Sequence, residues 1–278
     1  MRMQSPRVSI LLITYNRPQF VGGAIKSAQG QSLKDWELII VDDSENAAVE
    51  HEVKKSAASE PRISYFHRPQ KGTIANASNF GLKQAKGEYV AILDDDDWWT
   101  DPHKLEKQVK FLDEHSDCVG CGGGFVIVNE KGEETGKVLK PETDEAIRRV
   151  ALYANPMANA TTMFRRAAAR AIGDYDESCK QFADLDFWLS MGTKGKLYNF
   201  PEYFLAYRMW TSGASFKNQK QNADSGRAIV LKHRGEYPGF WKAITLADLY
   251  VAYARFPAFL RRALNSFLSR LKKSLFSG

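Results

Sequence analysis

The 278-residue sequence has no run of about twenty apolar residues, so nothing in it reads as a membrane-spanning helix. Its first apolar stretch, Val8–Ile13, is too short for a secretory leader and reads as a buried strand, which predicts a cytosolic protein. Cysteine is scarce: Cys118, Cys121 and Cys179 are an odd number and give no disulfide framework. Cys118 and Cys121 have the spacing of half a zinc site, but no second Cys or His pair follows at a suitable distance, so they read as small strand residues. Internal repeats and low-complexity linkers are also absent. Acid is missing from one region. From Leu249 onward the chain carries Arg255, Arg261, Arg262, Arg270, Lys272 and Lys273 without a carboxylate, which leaves 33 bases and 33 acids elsewhere. The basic excess therefore sits in one tail and not across a domain face, which argues against nucleic acid as the partner.

What remains is an ordinary globular balance, 44% hydrophobic and 26% charged, at a length that suits one large domain with an appendage. Val8–Ile13, Glu37–Val41, Ile63–Phe66 and Glu88–Leu93 are short β-rich runs, and the segment carrying Ile74, Ala77, Gly81, Leu82 and Ala85 has helical spacing. Strands alternating with helices predict an α/β fold with a mostly parallel sheet. In such sheets ligands collect beyond the carboxyl ends of the strands, which here deliver Thr14-Tyr15-Asn16, Asp42-Asp43, His67-Arg68 and Asp94–Asp97. Pro18 and Pro102 are expected in the first turns of helices, with Asn16-Arg17 and Thr100-Asp101 as caps. After Asp117 a Gly-rich strand (Gly120–Val128), a turn at Asn129–Gly132 and a helix near Glu142–Tyr153 are expected.

The run Asp94-Asp95-Asp96-Asp97 is the strongest chemical signal. Consecutive carboxylates after an apolar strand repel one another unless a cation stands between them, and a hard-oxygen set suits Mg²⁺ or Mn²⁺. If the chain stays extended, Asp94 and Asp96 point to one side and Asp95 and Asp97 to the other. An acidic cap before the helix near Pro102 is the alternative.

Four blocks occur in order: Val8–Arg17, Trp36–Asp43, Ala85–Trp98 and Ala183–Trp188. Together they resemble family 2 of the GT-A glycosyltransferases, with matches spread from about Val8 to Arg208. The resemblance implies a Rossmann-like GT-A fold, with helices on both faces of the sheet, spanning residues 1–235 and followed by a helical extension, 236–278. It implies that Thr14, Tyr15 and Asn16 hold the nucleotide, and that Asp42 accepts a hydrogen bond from the base. Uracil is the first expectation, with thymine and guanine open. Asp94 and Asp96 match the DXD motif, Asp96 as the metal residue, while Asp95 and Asp97 lie beside the donor. Lys71 and Asn79 fall in the donor-binding loop, and Asp184 aligns with the general base, with Asp186 in reserve. The implied reaction is inverting transfer from a nucleotide-diphosphate sugar, aided by Mn²⁺ or Mg²⁺, to a glycan or lipid-linked acceptor.

Three positions depart from the family pattern: Ser78 stands where an Arg is common, Trp210 where a His is common, and Ala183 replaces the first acid of a pair. A sugar-nucleotide pyrophosphorylase would open with a Gly-rich phosphate loop that Thr14–Arg17 is not; a non-catalytic sugar-nucleotide-binding scaffold is the other alternative. From Pro257 onward, Leu260, Leu264, Phe267, Leu268, Leu271 and Leu275 make one helical face among the bases, which predicts a peripheral helix on an anionic membrane at the inner face of the cell. A packing role for that helix, or a homo-oligomer, is the competing expectation.

Overall fold

The computed structural model describes residues 5–58, 60–68, 72–210 and 218–257. Lys71 and almost all of the amphipathic tail lie outside the described residues. The chain forms two compact units, Met1–Thr211 and Ser212–Gly278.

The first unit opens with β1 (Val8–Thr14), α1 (Pro18–Gln29), β2 (Trp36–Asp42), α2 (Ala48–Ala57), β3 (Ile63–His67), α3 (Ile74–Gln84) and β4 (Tyr89–Asp94). These strands are almost continuously apolar because both faces of the sheet are covered. In β1, Val8, Ile10 and Leu12 pack with Val21 and Ile25 of α1, whereas Leu11 packs with Ala75, Ala77 and Leu82 of α3. Pro18 occupies the first turn of α1, where its missing N–H costs nothing; Arg17 precedes it at the cap position without a side-chain capping bond. A capping box starts α3: Thr73 Oγ1 accepts the Asn76 N–H at 3.2 Å, and Asn76 Oδ1 accepts the Thr73 N–H at 3.0 Å.

The chain continues through β5 (Trp98–Trp99), α4 (Lys104–Glu114), β6 (Cys118–Val128), β7 (Glu134–Val138), α5 (Asp144–Val150), a 3-10 turn (Asn159–Thr161), β8 (Met163–Arg165), α6 (Arg166–Ala171), α7 (Ala183–Gly192) and β9 (Lys196–Arg208). The sheet order is β3-β2-β1-β4-β8-β6-β9-β5, with β7 paired to β6. Strands β3, β2, β1 and β4 are parallel, and β8 runs antiparallel to both of its neighbours. Helices cover both faces, as expected, and the turn at Asn129–Gly132 joins β6 to β7, with Gly132 at φ 87°. One local expectation fails. Pro102 does not lie in the first turn of α4, because Asp101 first closes a separate turn: its Oδ1 accepts the His103 N–H at 2.8 Å and its carbonyl the Lys104 N–H at 3.2 Å.

In the second unit α8 (Gln219–Lys232) and α9 (Phe240–Arg255) are joined by the ion pairs Arg227–Asp248 at 2.5 Å and Arg255–Asp224 at 3.0 Å. Helix α9 buries Ala243 and Ala254 and exposes Trp241, Leu249 and Tyr250, with Phe256 exposed just past its end. Among the described residues no helix is long and apolar enough to cross a membrane.

Candidate active site

Strand register brings the expected polar groups into one row: Thr14 pairs with Asp42, Asp42 with His67, and Ile13 with Asp94. The chain leaves β1 toward β2 and β3 on one side and returns to β4 on the other. The crevice beyond β1 and β4 is therefore the switch point of the sheet. The loop 15–17 forms one wall and the acidic run the other.

Strand β4 ends at Asp94, and the Asp97 N–H closes a turn onto the Asp94 carbonyl at 3.4 Å. Burial still alternates as an extended chain would: Asp95 and Asp97 are buried, Asp94 and Asp96 partly open. Three elements grip this turn. Arg17 Nη1 lies 2.6 Å from Asp96 Oδ2 and 3.0 Å from Asp95 Oδ1. The Trp210 indole N–H donates to Asp96 Oδ2 at 2.6 Å. Arg208, at the end of β9, donates its backbone N–H to Asp97 Oδ1 at 2.8 Å, and its guanidinium sits 4.8 Å from the Phe20 ring centre and 5.3 Å from that of Trp98.

Negative charge at the turn is incompletely matched. Burial pushes Asp94 up to about 7, with Asp96, Asp95 and Asp184 adding to the rise and Arg17 opposing it. Asp95 is raised by burial to about 6 against the pull of Arg17, and burial also holds Asp97 well above the usual carboxylate range. Among the described residues Asp97 Oδ2 is buried without a hydrogen-bond partner. A hard divalent cation fits this all-oxygen set, since it would lower each carboxylate at once. A separate group, Asp176, Cys179 and Asp186, has potential ligand atoms within 4.8 Å of one another.

Asp184 stands in the first turn of α7 and is within electrostatic reach of Asp94. Asn155 Nδ2 donates to Asp184 Oδ2 at 2.6 Å, and Lys140 Nζ donates to the Asn155 carbonyl at 3.0 Å. Burial raises the Asp184 carboxyl, while the backbone N–H groups of the helix start, Lys140 and Asn155 hold it down. Two residues on, Asp186 turns away toward Asp176 and Cys179, as a rotation of about 200° along a helix requires. Close packing of α7 on β6 needs a glycine: a Cβ at Gly120 would stand 2.9 Å from Trp188. Just before α7, Phe182 adopts φ 60°, a left-handed conformation that is strained for a bulky residue.

On the nucleotide side, Asp42 is fully buried; its Oδ1 accepts the Ser44 N–H at 2.8 Å and its Oδ2 the Tyr65 hydroxyl at 2.6 Å. Tyr15 donates its hydroxyl to Glu45 at 2.7 Å. Asn16, left-handed at φ 52°, accepts the Glu45 N–H on Oδ1 at 3.2 Å, which ties the loops after β1 and β2 together. Thr14 is buried at the end of β1. Asn79 latches the segment before α7, donating to the Tyr175 carbonyl and Glu177 and accepting the Tyr175 N–H, each at 2.9 Å. Arg68 pairs with Asp43 at 2.7 Å, and Ser78 is buried in α3.

Of the aromatic residues beside the acidic run, Trp98 stacks under Arg208, whereas Trp99, Phe187 and Trp188 are core. Sequence reasoning did not single out Asn155, Lys140 or Tyr207. The Tyr207 hydroxyl is raised by desolvation and by the charges of Asp97, Asp94, Asp96 and Asp184. Asn155 and Lys140 come from irregular segments with no spacing to betray them.

A mostly parallel sheet with an acidic turn at its switch point is the arrangement of the GT-A fold. Solved structures agree in fold: the mannosyltransferase PcManGT from Pyrobaculum calidifontis, in complex with GDP-Man and Mn²⁺, matches with a TM-score of 0.66 at 17% identity over 96% of this chain and 81% of that one. Residues 1–349 of S. aureus TarS in complex with UDP match with a TM-score of 0.63 at 18% identity, over 93% and 72% of the two chains. The glycosyl transferase family 2 profile matches residues 9–173, and the chain belongs to that family. Among its relatives, a Bacillus subtilis protein named as the glycosyltransferase EpsE is 29% identical over 81% of each chain. Another, named as the teichuronic acid biosynthesis glycosyltransferase TuaG, from the same organism, is 30% identical over 77% of this chain and 84% of its own.

Proposed function

We propose that this glycosyltransferase is inverting and uses a nucleotide-diphosphate sugar, first of all a UDP-sugar, with Asp184 as general base and Asp96 as the residue that holds a divalent cation. The observation that carries the reading is the meeting of two acid groups of different character at one crevice: the crowded turn Asp94–Asp97 and the separate, half-buried Asp184. When bound, the cation would neutralise charge on the departing diphosphate. Asp184, poised upward by burial, takes the proton from the acceptor hydroxyl as that oxygen attacks the anomeric carbon from the side opposite the leaving group. Asn155 and Lys140 orient the carboxylate. Thr14, Tyr15, Asn16, Asp42, Lys71, Asn79, Asp94 and Asp95 are assigned to the donor side; in the case of Asn79 the support is indirect, because its amide braces the segment that leads into α7.

The acceptor is assigned as a glycan or a lipid-linked precursor, with the tail docking the enzyme on the inner face of the cell membrane. Support comes from α9, whose exposed Trp241, Leu249 and Tyr250, with Phe256 beyond, precede a segment of sequence with the five bases Arg261, Arg262, Arg270, Lys272 and Lys273.

Thermal stabilisation by UDP tests the donor reading. UDP should raise the melting temperature more with Mn²⁺ than with chelator, and Asp96→Ala should remove the difference. Stabilisation that ignores both chelator and Asp96 would overturn the metal assignment.

A further inference from the structure

Arg17 lies across the crevice from the acidic turn, with Nη1 2.6 Å from Asp96 Oδ2 and 3.0 Å from Asp95 Oδ1. Its side chain is 43% exposed and caps nothing in α1, so these carboxylates are what hold it in place. Burial works against its charge, and Asp95, Asp96 and Asp94 overcome that cost. The guanidinium, positive at any working pH, is thus paired with the very carboxylates assigned to the cation. Among the described residues, the two other arginines near the crevice have partners of their own. Arg68 is paired with Asp43, and Arg208 donates to the carbonyls of Asp96, Asn129 and Glu130. Ser78 brings no charge.

We propose that Arg17 is the resident counter-ion of Asp96, which a divalent cation must displace, and that the diphosphate of the donor receives the displaced guanidinium. A doubly charged ion held by Asp96 would stand beside Arg17, and the two positive charges would repel each other. The diphosphate offers the guanidinium a bidentate anion in exchange. Cation alone therefore binds weakly. Cation and nucleoside diphosphate bind cooperatively, and Arg17 sets part of that coupling. The inference rests on the assignment of the cation to Asp96.

Free Mn²⁺ measured by electron paramagnetic resonance gives the affinity directly, without and with UDP, for the wild type, Arg17→Gln, Arg17→Lys and Asp96→Asn. Arg17→Gln should bind Mn²⁺ alone about tenfold more tightly than the wild type and show a correspondingly smaller gain on adding UDP, within the usual range of coupling between sites. Arg17→Lys, which keeps the charge, should bind Mn²⁺ alone about as the wild type does. If Asp96→Asn loses Mn²⁺ binding in the presence of UDP while Arg17→Gln gains nothing for Mn²⁺ alone, the inference is overturned and the metal assignment stands. If Asp96→Asn binds Mn²⁺ as the wild type does, the metal assignment fails and takes the inference with it.

Discussion

The Asn155 amide donates to Asp184 Oδ2 across 2.6 Å, linking an irregular loop to the first turn of α7. This bond favours the ionised carboxylate and so holds its pKa down against burial. Asn155→Ala should raise that pKa further, because only the charged form loses a donor. The acidic limb of the kcat–pH profile should then move to higher pH, with activity recovering as pH rises. A uniform drop in kcat with an unmoved limb would show that Asn155 acts on something other than the Asp184 proton.

Trp210 supplies a second positioning contact, its indole N–H on Asp96 Oδ2. Loss of an outer hydrogen bond to a metal-holding carboxylate typically weakens metal binding by about ten- to a hundredfold. Trp210→Phe should weaken Mn²⁺ binding in the presence of UDP on that scale, and Trp210→His should restore it. Unchanged Mn²⁺ affinity in Trp210→Phe would show that Asp96 is fixed by its other contacts.

Lys104 ties pH to stability away from the site. It is fully buried, donates to Gln108 Oε1 at 2.7 Å and lies 4.1 Å from the Trp99 ring centre. Burial lowers its ammonium from 10.5 to about 7. Between these values the unfolded chain keeps a proton that the folded chain has released, so stability rises with pH across the window and falls as pH drops toward 7. Lys104→Met should raise the melting temperature at pH 7 and flatten its climb from pH 7 to 10. A steeper climb, or a lower melting temperature at pH 7, would count against this account.

The tail should separate charge from apolar burial, since salt screens only the first. Deleting residues 257–278 should abolish co-sedimentation with anionic vesicles and leave transfer to a soluble acceptor intact. Retained vesicle binding, or a truncated protein that unfolds, would assign the tail a packing role instead.

Much of the crevice was legible in the sequence because β1, β2 and β4 are apolar on both faces and end abruptly in polar residues. Parallel pairing then forces Thr14, Asp42 and Asp94 to one edge. What stayed hidden depends on register and irregular chain. The two-residue β5 and three-residue β8 are too short for a periodic signal, and β6 reaches β9 through register shifts around its glycines. Arg17 could be placed at the start of α1 from Pro18, but its grip on Asp96 spans some eighty residues of sequence and appears only once β1 and β4 lie side by side.

The central claim is that binding and chemistry use different carboxylates. Single-turnover transfer by Asp184→Asn, measured beside its UDP affinity in Mn²⁺, tests it most directly. The account predicts that UDP affinity stays near the wild-type value while the transfer rate falls at least about a hundredfold. Near-normal transfer by Asp184→Asn, with the loss appearing instead in Asp186→Asn, would contradict it.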